Sequence, residues 1–152
     1  MKIDLIPRTQ EKSNTCLPAA LGIVLRHFGA DFSEDQIAQA CKTRKRGTNL
    51  EHAADGIKTL GFKAIHFEQS DLPQIIDYLN KNIPVIVALD VEQLPYGDFG
   101  FHAVVINELE VNTVSFVDPA LGKEISLPLL TFFKAWHSLG RSGLVIYPKS
   151  TS

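Results

Sequence analysis

Nothing constrains this chain more than the apolar spacing that begins directly after Cys16. Leu17, Ala20, Leu21, Val24, Leu25 and Phe28 recur at i, i+3, i+4, i+7, i+8 and i+11, which is one continuous face of a helix. Gly29 supplies the stop, Ser13, Asn14 and Thr15 supply cap oxygens, and Pro18 is tolerated in a first turn that has no use for its missing N–H. Cys16 is thereby placed at the N-terminal edge of the helix. Unpaired N–H groups and the helix dipole favour negative charge there, so the position suits a thiolate nucleophile. Taken singly, an intracellular cysteine is more often a small buried apolar residue, and the assignment depends on what faces the thiol.

The rest of the chain reads as helices first and strands afterwards. Ser33 with Gln36 forms a capping box that opens a helix through about Cys41, and Thr48 with Glu51 forms a second, opening a helix that Gly61 ends. Phe62–Phe67 reads as a strand, 72–81 as a helix, and the apolar run 83–89 as a buried strand. Residues 101–106 and 113–117 bracket a polar turn at Glu110, and 143–147 form a last strand; the three read as antiparallel neighbours. Between them, Pro128 sits near the first turn of a helix predicted over 127–136. The expectation is an α+β fold, with 1–152 forming one domain.

Composition narrows the partners. The 152 residues are 45% apolar and 21% charged, ordinary globular usage, and a net charge of −2 leaves no electrostatic footprint for nucleic acid or an anionic membrane. The N-terminus lacks a signal-peptide core, and no stretch approaches the roughly 20 apolar residues of a membrane span, so a cytoplasmic protein without membrane insertion is expected. Cys16 and Cys41 then read as free thiols. No CxxC or Cys/His spacing calls for a metal, and a redox or zinc protein using the two cysteines is the weakest reading.

Of five histidines, His27 lies eleven residues along the same helix as Cys16, which at a rise of ~1.5 Å per residue is roughly 16 Å away. His52 and His66 show no acid partner at a telling spacing, and His137 falls in a last helical turn, where a cation complements the dipole. His102 differs, because it begins a strand directly after the loop Tyr96, Gly97, Asp98, Phe99, Gly100. Asp118 ends the following strand before Pro119 and alone would pass for a turn residue. A hairpin centred on Glu110 sets 102 and 118 directly opposite, with Cβ atoms ~5 Å apart. Asp118 can then fix the tautomer of His102 and leave its other nitrogen for a thiol. Gln10, alone, is a polar residue near a terminus.

These residues resemble a known family. Gln10, Cys16 with its small-residue helix to Gly29, Gly47-Thr48, Leu60-Gly61-Phe62, Pro84-Val85-Ile86-Val87, Phe101 to Val105 and Val117 to Gly122 are similar, in order, to the C39-like, papain-like peptidases that process double-glycine bacteriocin leaders. The resemblance implies a papain-like fold, an N-terminal helical half packed on a C-terminal antiparallel sheet. It implies nucleophile, base, orienter and oxyanion donor for Cys16, His102, Asp118 and Gln10, and it calls for no cofactor. Thr15 and Leu17 flank the cysteine where the family commonly has an acid and a glycine. The chain also lacks the membrane spans and the G-x-x-x-x-G-K-[ST] loop of the transporters that carry such domains, so it reads as a free-standing relative, with association with a separate transporter as the partner implied.

The function expected is peptide-bond hydrolysis, possible leader processing included, on a peptide or protein substrate. Tyr96, Phe99, Gly100 and Phe101 on one side and Gly47 and Thr48 on the other are the expected substrate contacts. The alternatives are a non-catalytic peptide-binding module and an acyltransferase that uses the same residues.

Overall fold

The computed structural model describes residues 2–45, 47–95 and 101–149. Three helices come first: α1 (Cys16–His27), α2 (Glu34–Ala40) and α3 (Leu50–Thr59). There follow β1 (Phe62–Phe67), α4 (Leu72–Asn80), β2 (Val85–Asp90), β3 (Phe101–Leu109), β4 (Thr113–Asp118), β5 (Lys123–Pro128), α5 (Leu129–Ser138) and β6 (Gly143–Pro148). All strand pairs are antiparallel, in the order β1-β6-β2-β3-β4-β5.

The sheet divides the core in two. One face, with Ile86, Ala88, Ala103, Val105, Val117 and Ile146, packs on α1, α2 and α3. The other, with Val87, Val104, Phe116 and Val145, packs on Ile75 and Leu79 of α4 and Phe132 and Trp136 of α5. Both faces of the central strands are covered, so β2 is buried over residues 85–89 and loses the polar alternation of a half-exposed strand. Helix α1 is buried from Leu17 through Leu25, the pattern of a core helix. Gly22 lets the Arg8 guanidinium cross it, since a Cβ there would stand 2.1 Å from Nη1.

Several predicted details shift. The helix α3 starts one residue later, capped by the Asn49 side chain on the His52 N–H, while Thr48 hydrogen-bonds Thr43 instead. Strand β2 starts after Pro84, which has no N–H to give a ladder. Strand β5 occupies residues assigned to no element or to the start of a helix, and α5 begins only after Pro128. The last strand, β6, lies between β1 and β2 rather than beside the β3–β4 hairpin.

Candidate active site

Thr15 is the N-cap of α1, but its side chain does not cap the helix. Its Oγ1 folds back onto the preceding loop, accepting from the Lys12 N–H at 3.0 Å and donating to the Lys12 carbonyl at 2.9 Å. The first-turn N–H groups are therefore not consumed by a side-chain cap, and Cys16 stands half-buried among them. Cys41 is fully buried, its thiol pointing to the Ala53 carbonyl at 3.8 Å, and burial pushes that thiol up to about 11.

His102 and Asp118 are hydrogen-bonded through Nε2 and Oδ1, with His102 8% and Asp118 0% exposed. They are not directly opposite. The hairpin turns through Val111 and Asn112, with Glu110 N–H donating to Thr113 O at 2.8 Å, and the register shifts between Ile106 and Glu108. Val105 pairs with Val117, so the same register carried one step on sets Asp118 across from Val104. His102 is thus a diagonal neighbour, a span longer than a direct pair but within reach of a long side chain. The far ring nitrogen, Nε2, makes that reach. Cys16 is near enough to the imidazole to raise its pKa.

Burial is the largest single influence on His102 and lowers its pKa; the hydrogen bonds to Asp118 and Cys16 and the charges of both outweigh it and raise the pKa to about 9. Asp118 is itself held by an Asx turn, its Oδ1 accepting the Ala120 N–H at 2.9 Å. Gly122 closes the turn at φ +66°, and a Cβ there would stand 2.0 Å from Thr9 Oγ1. The turn also holds the Gln10 segment, whose N–H donates to the Pro119 carbonyl at 2.9 Å. The Gln10 amide donates to the Lys12 carbonyl at 2.8 Å, using one of its two hydrogens, and its Oε1 is buried without a partner among the described residues.

A cleft of about 800 Å³ opens beside Phe101, the residue before His102, and Gly47 and Thr48 line it as well. Tyr96, Phe99 and Gly100 lie outside the described residues. Leu139 and Gly140, ahead of β6, and His66 also line the cleft, and this part of the lining carries no signal in the local sequence because it depends on where β1 and β6 land in the sheet. His66, set aside for want of an acid partner, has Glu68 Oε1 at 3.9 Å from its Nε2. His27 instead reaches the Asn82 carbonyl at 3.1 Å. Among the described residues no cluster of His, Cys, Asp or Glu is arranged to hold a metal ion, and no helix is long and apolar enough to cross a membrane.

Three helices packed on one face of a six-stranded antiparallel sheet form the papain-like cysteine peptidase fold. The profile of the peptidase C39 family matches residues 6–150, and the chain belongs to that family. It is 32% identical over 116 residues to an uncharacterized protein of Methanothermobacter thermautotrophicus, covering 75% of this chain and 71% of that one. It is 25% identical over 141 residues to the lactococcin-G-processing and transport ATP-binding protein LagD of Lactococcus lactis, covering 92% of this chain but only 18% of LagD. The peptidase domain of Streptococcus ComA, a bifunctional ABC transporter involved in a quorum-sensing pathway, superposes with a TM-score of 0.77 at 25% identity, over 97% of this chain and 99% of that domain.

Proposed function

We propose that the protein is a cysteine peptidase that hydrolyses a peptide bond with Cys16 as nucleophile and His102 as its base. The observation that carries the reading is one buried imidazole, hydrogen-bonded to Asp118 and raised in pKa by both Asp118 and the cysteine that opens a buried helix. His102 takes the thiol proton, Cys16 attacks the carbonyl carbon, and the Cys16 N–H together with the Gln10 amide stabilises the oxyanion. The imidazolium then protonates the leaving amine. Water, deprotonated by the same ring, hydrolyses the thioester and frees the thiol. Asp118 keeps Nε2 occupied, and Nδ1 is the nitrogen assigned in this mechanism to the sulfur.

The substrate proposed is a leader peptide in an extended conformation, laid between Phe101 and Gly47-Thr48. LagD is named for processing and transport, and ComA is a transporter with a peptidase domain; a separate transporter is accordingly the partner proposed, with the cytoplasm as the compartment. Turnover of a peptide library by wild type and Cys16→Ala tests the reading. Cleavage lost in Cys16→Ala supports it. Binding by both proteins with cleavage by neither would leave a peptide-binding module, and product captured by an added amine in place of water would mark an acyltransferase.

A further inference from the structure

Glu34 opens α2 and is only 3% exposed. Glutamates are almost never so deeply placed unless paired. Its Oε2 accepts the Glu11 backbone N–H at 2.7 Å, and its Oε1 is buried without a hydrogen-bond partner among the described residues. A buried carboxylate half-satisfied in this way is unfavourable for stability alone, and an apolar side chain of similar volume would serve the core better. What Glu34 does accomplish is local. Glu11 follows Gln10, whose own N–H is held by the Pro119 carbonyl at 2.9 Å. The main chain on either side of the Gln10 side chain is thus clamped twice, from the turn that carries Asp118 and from the first turn of α2. The capping box of Ser33 and Gln36 fixes that turn and with it the Glu34 backbone.

We infer that Glu34 is a positioning residue for the oxyanion donor: by holding the Glu11 amide it sets the direction in which the Gln10 amide points. The inference rests on the reading of Gln10 as that donor. Two substitutions separate reach from charge. Glu34→Asp keeps the charge and withdraws the carboxylate by one methylene; Glu34→Gln keeps an oxygen at the same reach without the charge. Glu34→Asp lowers kcat on the order of tenfold with KM changed less than about twofold, whereas Glu34→Gln stays within about threefold of wild type. Alkylation of Cys16 by iodoacetamide, which builds no oxyanion, changes less than about twofold in either variant. In a Gln10→Ala background Glu34→Asp has almost no further effect, less than about twofold. Glu34→Ala, which removes the acceptor entirely, repeats the Glu34→Asp pattern and decides the matter if Glu34→Asp does not fold. Undiminished kcat in Glu34→Asp, a loss that persists in full alongside Gln10→Ala, or a parallel fall in Cys16 alkylation overturns the inference while Gln10 keeps its role. Full turnover by Gln10→Ala alone removes the oxyanion reading itself, and the positioning role with it.

Discussion

Asp118 reaches His102 from the diagonal of the β3–β4 ladder, and the extra residue between Ile106 and Glu108 is what sets that offset. The bulge residue, Asn107, is itself fixed, its side-chain amide donating to the Ile3 carbonyl at 3.1 Å and to Glu124 Oε1 at 2.6 Å. The geometry of the candidate site is therefore tied to a strand irregularity stabilised at its far side.

That register sets the pH response. His102 is raised from 6.5 to about 9 in the folded protein. A raised group contributes stability fully present below its unfolded pKa and lost as pH climbs through the folded one. The His102 contribution is thus intact below pH 6.5 and fades towards pH 9. Turnover needs the imidazolium for the leaving amine, so kcat/KM falls on the alkaline side near pH 9. In Asp118→Asn one of the two charges that raise the ring is gone, and the alkaline limb moves towards acid. A pH–rate profile of both proteins is the measurement; an alkaline limb unmoved by Asp118→Asn would contradict the coupling.

The two thiols differ in reactivity. Cys41 is fully buried with its pKa raised to about 11, while Cys16 is half-exposed at a helix start beside His102. Iodoacetamide at neutral pH labels Cys16 at least about tenfold faster than Cys41 in the folded protein. Peptide mapping by mass spectrometry reads the ratio, and equal, sluggish labelling of both would count against a nucleophile.

Backbone strain at the turn gives a stability test. Gly122 adopts φ +66°, and a Cβ there would overlap Thr9 Oγ1 at 2.0 Å, one residue before Gln10. Gly122→Ala lowers stability by about 1–3 kcal/mol. It also lowers turnover, because Thr9 must yield and the Gln10 segment moves with it. Urea unfolding with kinetics on the same sample checks both; unchanged stability would show that the turn relaxes freely.

How far the sequence foretells these features follows from how local each one is. The capping box at Ser33 and Gln36 and the strand Phe62–Phe67 are written in a few adjacent residues, and both are found where the pattern puts them. Strand β5 was obscured by Pro128, which suits a helix start as well as an edge-strand end, although Ile125 and Leu127 alternate with Glu124 and Ser126. The place of β6 between β1 and β2, the bulge at Asn107 and the burial of Glu34 are set by packing across the sheet or between α2 and the Gln10 loop, where no local pattern points. Cys16, His102 and Asp118 stand out in the sequence; His102 and Asp118 are hydrogen-bonded in the structure, and Cys16 is near enough to raise the ring's pKa; the cleft wall at Leu139 and Gly140 does not stand out, because it exists only once the sheet is assembled.

The most discriminating prediction concerns four side chains taken one at a time. Cys16→Ala abolishes turnover and leaves peptide binding largely intact, since sulfur supplies the bond-making step and little of the contact area. His102→Ala is nearly as severe, because the ring is the proton carrier in both half-reactions. Asp118→Asn is milder: the Ala120 N–H that donates to Oδ1 keeps the turn in shape, and an amide oxygen can still receive a ring N–H. Gln10→Ala lowers kcat by on the order of a hundredfold with little change in KM, the signature of a donor used only as the oxyanion forms. Steady-state kinetics alongside peptide-binding titrations separate these cases. A Gln10→Ala loss confined to KM would make the amide a substrate contact, and Cys16→Ala with residual turnover would remove the cysteine from the chemistry.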